Sequence, residues 1–263
     1  MNQFRIDIEK GVARVTLTRP HRHNAFDDRL IADLTAALRE LEAEPAARIL
    51  ILAAEGPSFS AGAELGWMKR AAAASEDENL EDARKLAELM RVLDEFPKPT
   101  IAAVQGPAYG GGVGLVACCD IAIASTAAKF ALSEVKLGLI PSAIGPYVMA
   151  AIGPRQARRY FQTAEIFGAH TAQAIGLVHE AVEPDALERR VAEIVQALGK
   201  GAPAARREAK RLVSDIGHRP IDAAMIEMTA VRISAVRARE EAKEGLDAFL
   251  SRRRAAWDCG GEE

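Results

Sequence analysis

Two runs of small residues and one isolated glutamate are the parts of this sequence best suited to chemistry. The first run is Phe59-Ser60-Ala61-Gly62-Ala63-Glu64-Leu65. The second is Gly106-Pro107-Ala108-Tyr109-Gly110-Gly111-Gly112-Val113-Gly114. Each falls between an expected strand and an expected helix. Small residues let a guest approach the main chain closely. N–H groups at a helix start lack internal acceptors and favour an anion. If Glu64 begins a helix, donors near Ala63 are free. The glycine cluster lacks both the Gly-x-Gly-x-x-Gly fingerprint and the Lys-Ser/Thr of a P-loop. Tight packing of a glycine helix against a strand explains either run alone equally well. Two such runs in one chain favour a pair of backbone donors around a developing oxyanion.

Glu134 stands in the otherwise apolar setting Phe130-Ala131-Leu132-Ser133-Glu134-Val135-Lys136-Leu137-Gly138. Partial desolvation there would raise its pKa toward values useful for proton transfer. The competing reading is a helix N-terminal acid behind a Ser133 cap, and residue type alone favours it.

The elements that must position these groups follow from periodicity. Phe4–Glu9 and Val12–Thr18 alternate apolar and polar residues around Lys10-Gly11, which predicts a hairpin. Asp27 or Asp28 caps a helix running to about Glu42, with Leu30, Leu34, Leu38 and Leu41 on one face. Strands are expected at Ile49–Ala53, Thr100–Val104, Ile121–Ala124 and Val178–Val182. Helices are expected at Leu80–Phe96, Pro154–Thr163 and Ala172–Gly176. After Pro184 the pattern is helical, over roughly 184–199, 203–216, 220–236 and 239–251. This order predicts an α/β body with a helical C-terminal appendage.

The bulk properties exclude more than they identify. The chain has 263 residues, 49% hydrophobic and 27% charged, with a net charge of −3, as a soluble globular protein with a sizeable core has. No basic excess argues for nucleic acid. The three cysteines, Cys118, Cys119 and Cys259, show no metal-ligand spacing, and a reduced cytoplasmic protein is expected. The charged N-terminus does not read as a signal peptide. Ile101–Ala124 is long and apolar enough to span a bilayer, but Gln105, Pro107, Asp120 and the glycines break it, so no membrane span is expected. The five histidines, His21, His23, His170, His179 and His218, are read as surface or structural. Arg252-Arg253-Arg254 reads as a solvated helix end.

Taken together, these segments resemble the crotonase superfamily, the enoyl-CoA hydratase/isomerase family. The resemblance covers essentially the whole chain. It rests on Thr18-Arg19-Pro20, Asn24-Ala25-Phe26, the Phe59–Leu65 run, Pro97-Lys98-Pro99-Thr100-Ile101-Ala102 and the Gly106–Gly114 run. Cys119-Asp120-Ile121-Ala122, Ser133–Pro141, Glu244-Gly245 and Ala248-Phe249 complete it. It implies a β-β-α spiral core over residues 1–200 and a helical trimerisation region over 201–263, with trimers often paired into hexamers. It implies an acyl-CoA thioester substrate and neither metal nor redox cofactor, coenzyme A being part of the substrate. Carried over by position, the oxyanion donors fall on Ala63 and Gly111 and the acid–base group on Glu134. Arg22, Ala61, Leu65 and Gly110 would contact the acyl-CoA. Phe249 and Arg252 would reach the CoA of a neighbouring subunit.

The sequence departs from the family pattern at one position. Hydratases of this family commonly carry a second glutamate three residues after the glycine donor; here that residue is Gly114, and neither Val113 nor Leu115 is acidic. A single Glu134 can take a proton from water and return it to carbon, or shift a double bond. Isomerisation therefore stands as the alternative to hydration, and a non-catalytic CoA- or RNA-binding role as a third. The Gly110–Asp120 stretch with Trp67-Met68-Lys69-Arg70 resembles bacterial methylglutaconyl-CoA hydratases of leucine breakdown. Lys69 or Arg70 would then face a substrate carboxylate, against the alternative of a solvated helix face. Side chains near Trp67, Leu89 and Ile144 are expected to shape the acyl pocket.

Overall fold

The computed structural model describes residues 3–217 and 219–258. The chain forms two units, Met1–Phe96 with Thr100–Ala192, and Pro97–Pro99 with Glu193–Glu263. His218 and Cys259 lie outside the described residues.

The first unit opens with the expected hairpin, β1 (Phe4–Glu9) and β2 (Val12–Leu17), paired antiparallel. Lys10 and Gly11 both take positive φ, 48° and 84°, the geometry of a two-residue turn that matches strand twist. Asp27 accepts a hydrogen bond from the Leu30 N–H at 2.9 Å and caps α1 (Asp28–Ala43). That helix buries Leu30, Leu34, Leu38 and Leu41. Next comes β3 (Ile49–Ala54), pairing parallel with β2.

The chain then passes through α2 (Leu65–Ala73) and α3 (Glu76–Asp94). The latter starts before Leu80, where periodicity alone placed it, because Ser75 and Glu78 form a reciprocal capping box. β4 (Thr100–Val104) is buried at every position, as a strand covered on both faces must be. The apolar stretch Ile101–Ala124 is mostly β4, β5 (Ala108–Tyr109), α4 (Gly111–Ala117) and the start of β6 (Ile121–Ser125). Among the described residues no helix is long and apolar enough to cross a membrane.

After β6 come β7 (Lys129–Ala131), a 3-10 turn at Glu134–Leu137, and α5 (Gly145–Thr163). The α5 helix begins nine residues before the expected Pro154 start; Gly153, at φ 74°, kinks it there and breaks its sequence period. The unit continues with β8 (Phe167–Gly168), α6 (Ala169–Ala174) and β9 (Glu180–Val182). One sheet has the order β1-β2-β3-β4-β6-β9 and a smaller one the order β5-β7-β8. The chain thus visits the large sheet, the small sheet and then a helix: β4-β5-α4, then β6-β7-α5. This is the β-β-α spiral that the resemblance implies. The two-residue strands β5 and β8 are too short to leave a period in the sequence.

α7 (Leu187–Gly199) leads along the chain into the second unit, which holds α8 (Pro203–Ile216), α9 (Ala223–Arg237) and α10 (Glu240–Leu250). Glu241 on α10 accepts from the Ala204 and Ala205 N–H groups, both at 2.9 Å, which satisfies donors of the first turn of α8. Cys118 and Cys119 are buried and form no disulfide.

Candidate active site

Parallel pairing fixes where the chemical groups emerge. Ser60 bridges Ala108 in parallel, and β5 pairs with β7 through Ala108 with Phe130 and Tyr109 with Ala131. The Tyr109 N–H donates to Ser60 O at 2.9 Å and the Gly110 N–H to Ala131 O at 2.9 Å. Three segments therefore run side by side, aligned at Ser60, Ala108 and Phe130. Within three or four residues of that row they deliver Ala63, Gly111 and Glu134. The carboxyl ends of parallel strands are where open α/β sheets bind ligands.

Phe26 shapes the first turn. Its N–H donates to Gly62 O at 2.7 Å, and its carbonyl accepts from the Glu64 N–H at 2.8 Å. Those bonds use the groups flanking Ala63, so the Ala63 N–H points the other way, as alternate peptide groups do in extended chain. The same Phe26, only 2% exposed, lays its ring against Gly111. A Cβ on Gly111 would stand 2.8 Å from its Cζ. Gly62, at φ 80°, closes the two turns onto each other: a Cβ there would lie 2.7 Å from Tyr109 O and 3.3 Å from the Gly111 N. Gly111 opens α4, where N–H groups have no acceptor within the helix. Among the described residues no hydrogen bond takes the N–H of Ala63 or Gly111.

Glu64, in contrast, is spent on structure. It is the N-cap of α2, not its first residue, and its carboxylate accepts from the Trp67 N–H at 2.8 Å. The Trp67 and Gly66 amides hold its pKa below the ordinary glutamate value.

Glu134 heads the 3-10 turn after β7, and the preceding Ser133 makes no side-chain cap. Its Oε1 would be 3.0 Å from a Cβ built on Gly110, so the carboxylate sits directly against the glycine turn. Its Oε2 is enclosed and has no hydrogen-bond partner among the described residues. Burial pushes the Glu134 pKa up, offset in part by its own backbone N–H. A structural cap would show the opposite: satisfied oxygens and a lowered pKa, as Glu64 does.

The other expected site residues divide into three sets. Gly110 is buried between the turns, at φ 48°. Ala61, Leu65 and Arg22 are exposed beside the first turn, with Arg22 Nη1 3.4 Å from Glu64 Oε1. Phe249 and Arg252 belong to the second unit, at the end of α10 and just beyond it. Lys69 is exposed, while Arg70 is held by Asp28 at 2.7 Å. Leu89 and Ile144 are core residues, 1% and 2% exposed. Trp67 Nε1 donates to Asp82 at 3.2 Å. His23 Nδ1 pairs with Ser58 Oγ at 2.9 Å, and His179 Nδ1 accepts from the Ala122 N–H at 3.1 Å, both structural contacts.

Asn24 and Phe26 gained no role from sequence reasoning. Asn24 is fully buried. Its Oδ1 accepts from the Arg19 N–H at 2.8 Å, and its Nδ2 donates to Glu55 O and Ser58 O at 2.9 and 2.8 Å. Its φ of 52° is one that asparagine tolerates better than most residues. The available signal was the Asn24-Ala25-Phe26 triplet, but type alone does not reveal that it braces a turn 35 residues on.

Known proteins resemble this chain over nearly its whole length. The enoyl-CoA hydratase/isomerase family model matches residues 7–260. A crotonyl-CoA hydratase from Syntrophomonas wolfei is 34% identical over 95% of this chain and 95% of its own. An enoyl-CoA isomerase/hydratase from Mycosarcoma maydis is 33% identical over 93% of this chain and 91% of its own. The crystal structure of an enoyl-CoA hydratase from Shewanella pealeana superposes with a TM-score of 0.95 at 42% identity, covering 97% of this chain and 96% of that one. The spiral core, the family model matched over residues 7–260 and the relatives matched over nearly the whole length make this chain a member of the enoyl-CoA hydratase/isomerase family, the crotonase superfamily.

Proposed function

We propose that the chain is an enoyl-CoA hydratase in which Glu134 is the only acid–base group and the Ala63 and Gly111 N–H groups hold the thioester oxygen. The observation that carries this reading is the apposition of two N–H groups with no acceptor among the described residues to a carboxylate whose Oε2 has no partner among them. Donors preorganised for a charge that develops only in the transition state lower the barrier directly.

The proton account balances with one carboxylate. Water adds its oxygen to the β-carbon of the conjugated thioester and gives a proton to Glu134. The electron pair of the double bond moves onto the thioester oxygen, where the two N–H groups receive it. The enolate then collapses, and the Glu134 carboxyl returns the proton to the α-carbon. A raised pKa suits both halves, since the group must first accept and then donate near neutral pH. Nothing is oxidised or reduced, so no cofactor beyond the substrate's own coenzyme A enters.

A branched or carboxylated enoyl-CoA such as 3-methylglutaconyl-CoA, as in leucine breakdown, is the proposed substrate. Lys69 is the cation offered to its carboxylate, because Arg70 is engaged by Asp28. Arg22, Ala61, Leu65 and Gly110 are assigned to the acyl-CoA, and Phe249 and Arg252 of a neighbouring subunit to the CoA, within a cytoplasmic trimer or hexamer.

The second reading is enoyl-CoA isomerisation, and Gly114 favours it: one base suffices to carry a proton from the α- to the γ-carbon. Crotonyl-CoA and 3-methylglutaconyl-CoA in oxygen-18 water separate the two. Loss of the conjugated-thioester absorbance with label in the product is the expected result. A double-bond shift of a 3-enoyl-CoA without label, and no hydration of either substrate, would transfer the assignment to isomerase.

A further inference from the structure

Gly114 is more than a missing acid. It lies within α4, one turn past the Gly110 N-cap, and Cα–Cβ bonds tilt toward a helix N-terminus. A side chain at 114 would therefore lean toward the N-terminal end of α4, where Glu134 lies against Gly110. That path is filled. A Cβ on Gly114 would overlap Ile144 Cγ2 and stand 2.9 Å from Ile144 Cβ and 3.1 Å from Met90 Sδ. Ile144 is 2% exposed and Met90 fully buried. A β-branched side chain has little rotamer freedom with which to withdraw, and the Cβ in the way cannot move without its backbone. Ile144 is also the N-cap of α5, so its backbone is tied to the start of a helix.

We infer that Ile144, backed by Met90, is the residue that commits this site to a single carboxylate. It occupies the volume through which an acidic side chain at position 114 would approach Glu134. Gly114 and Ile144 form one unit: the glycine exists because the isoleucine is there, and an acid can enter only if the isoleucine leaves. Ile144 is thus a specificity-determining residue acting through exclusion. It keeps the wall beside Glu134 apolar and routes both proton transfers through one group. The inference rests on Glu134 being the base of the proposed reaction.

The test compares four proteins by melting and by crotonyl-CoA hydration: Gly114→Ala, Gly114→Ala/Ile144→Ala, Gly114→Glu/Ile144→Gly and Gly114→Gln/Ile144→Gly. Gly114→Ala is expected to melt well below the parent, and adding Ile144→Ala to recover part of that loss although it truncates a core residue. Of the folded double variants, the glutamate form is expected to hydrate crotonyl-CoA at least tenfold faster than its glutamine isostere. Two results overturn the inference. One is a Gly114→Ala melt equal to the parent's, which would mean that the wall yields. The other is equal rates for the glutamate and glutamine forms, which would mean that position 114 does not address the reacting carbons. If Glu134→Gln alone leaves turnover intact, the base assignment fails instead, and the melting comparison still reports on the Gly114–Ile144 pair.

Discussion

Glu134 is held where a carboxylate is least comfortable. Burial is the leading cause of its raised pKa, and one of its oxygens has no partner among the described residues. A carboxyl whose folded pKa lies above the unfolded one contributes most to stability below the unfolded value, and loses that contribution as pH rises through the folded one. Glu134→Gln, which cannot ionise, should therefore melt above the parent at pH 7, with the difference shrinking as pH falls through the raised pKa and gone below the ordinary glutamate range. A parent and variant that melt together at every pH would contradict the assigned desolvation. The donors need a different substitution. Gly111→Pro removes the N–H, but any Cβ there meets the Phe26 ring. Gly111→Ala meets the same ring and keeps the N–H, so the difference between the two isolates the donor. That difference should be about 3–4 kcal/mol of transition-state stabilisation, read from kcat of the folded variants.

Between elements, the decisive contact is Phe26. Its backbone pairs with the chain on both sides of Ala63 while its ring abuts Gly111, so one residue sets the spacing of both donors. Phe26→Ala should cost ~3–5 kcal/mol of folding stability, as for a buried aromatic, and should lower kcat more than it changes KM. Phe26→Leu, which keeps the backbone bridge and part of the volume, should restore much of the kcat. Equal proportional effects on kcat and KM would assign Phe26 to packing alone. The same scale shows what a sequence can and cannot disclose. The hairpin, α1, β4 and the two small-residue turns were legible because each has its own local period or turn chemistry. β5 and β8 were not, because two residues carry no period, yet β5 aligns Gly111 with Glu134. The Gly114–Ile144 contact was equally hidden. The absence of an acid at 114 was plain, but the side chain that fills its place comes from 30 residues further on, at the N-cap of a different helix.

At the scale of the whole molecule, the second unit leaves much apolar surface uncovered. In α9 and α10 the buried residues are Met225 and Ala248, while Ile226, Val231, Leu246, Phe249 and Leu250 are between 58% and 80% exposed. Apolar surface of that extent is what the proposed trimer or hexamer would cover. Sedimentation at micromolar concentration should return a trimer or hexamer, and Phe249→Ala should raise KM for the CoA thioester with little change in kcat. A monomer with parental KM in the variant would remove Phe249 from the proposed site. The central claim, that one carboxylate beside two backbone donors does all the proton transfer, meets its most direct test in Glu134→Gln. Turnover of the hydrated substrate should fall by ~10²–10⁴-fold, the usual contribution of a general acid–base group, while the affinity for a non-reactive acyl-CoA thioester stays at the parental value. Undiminished turnover in the folded variant would contradict it.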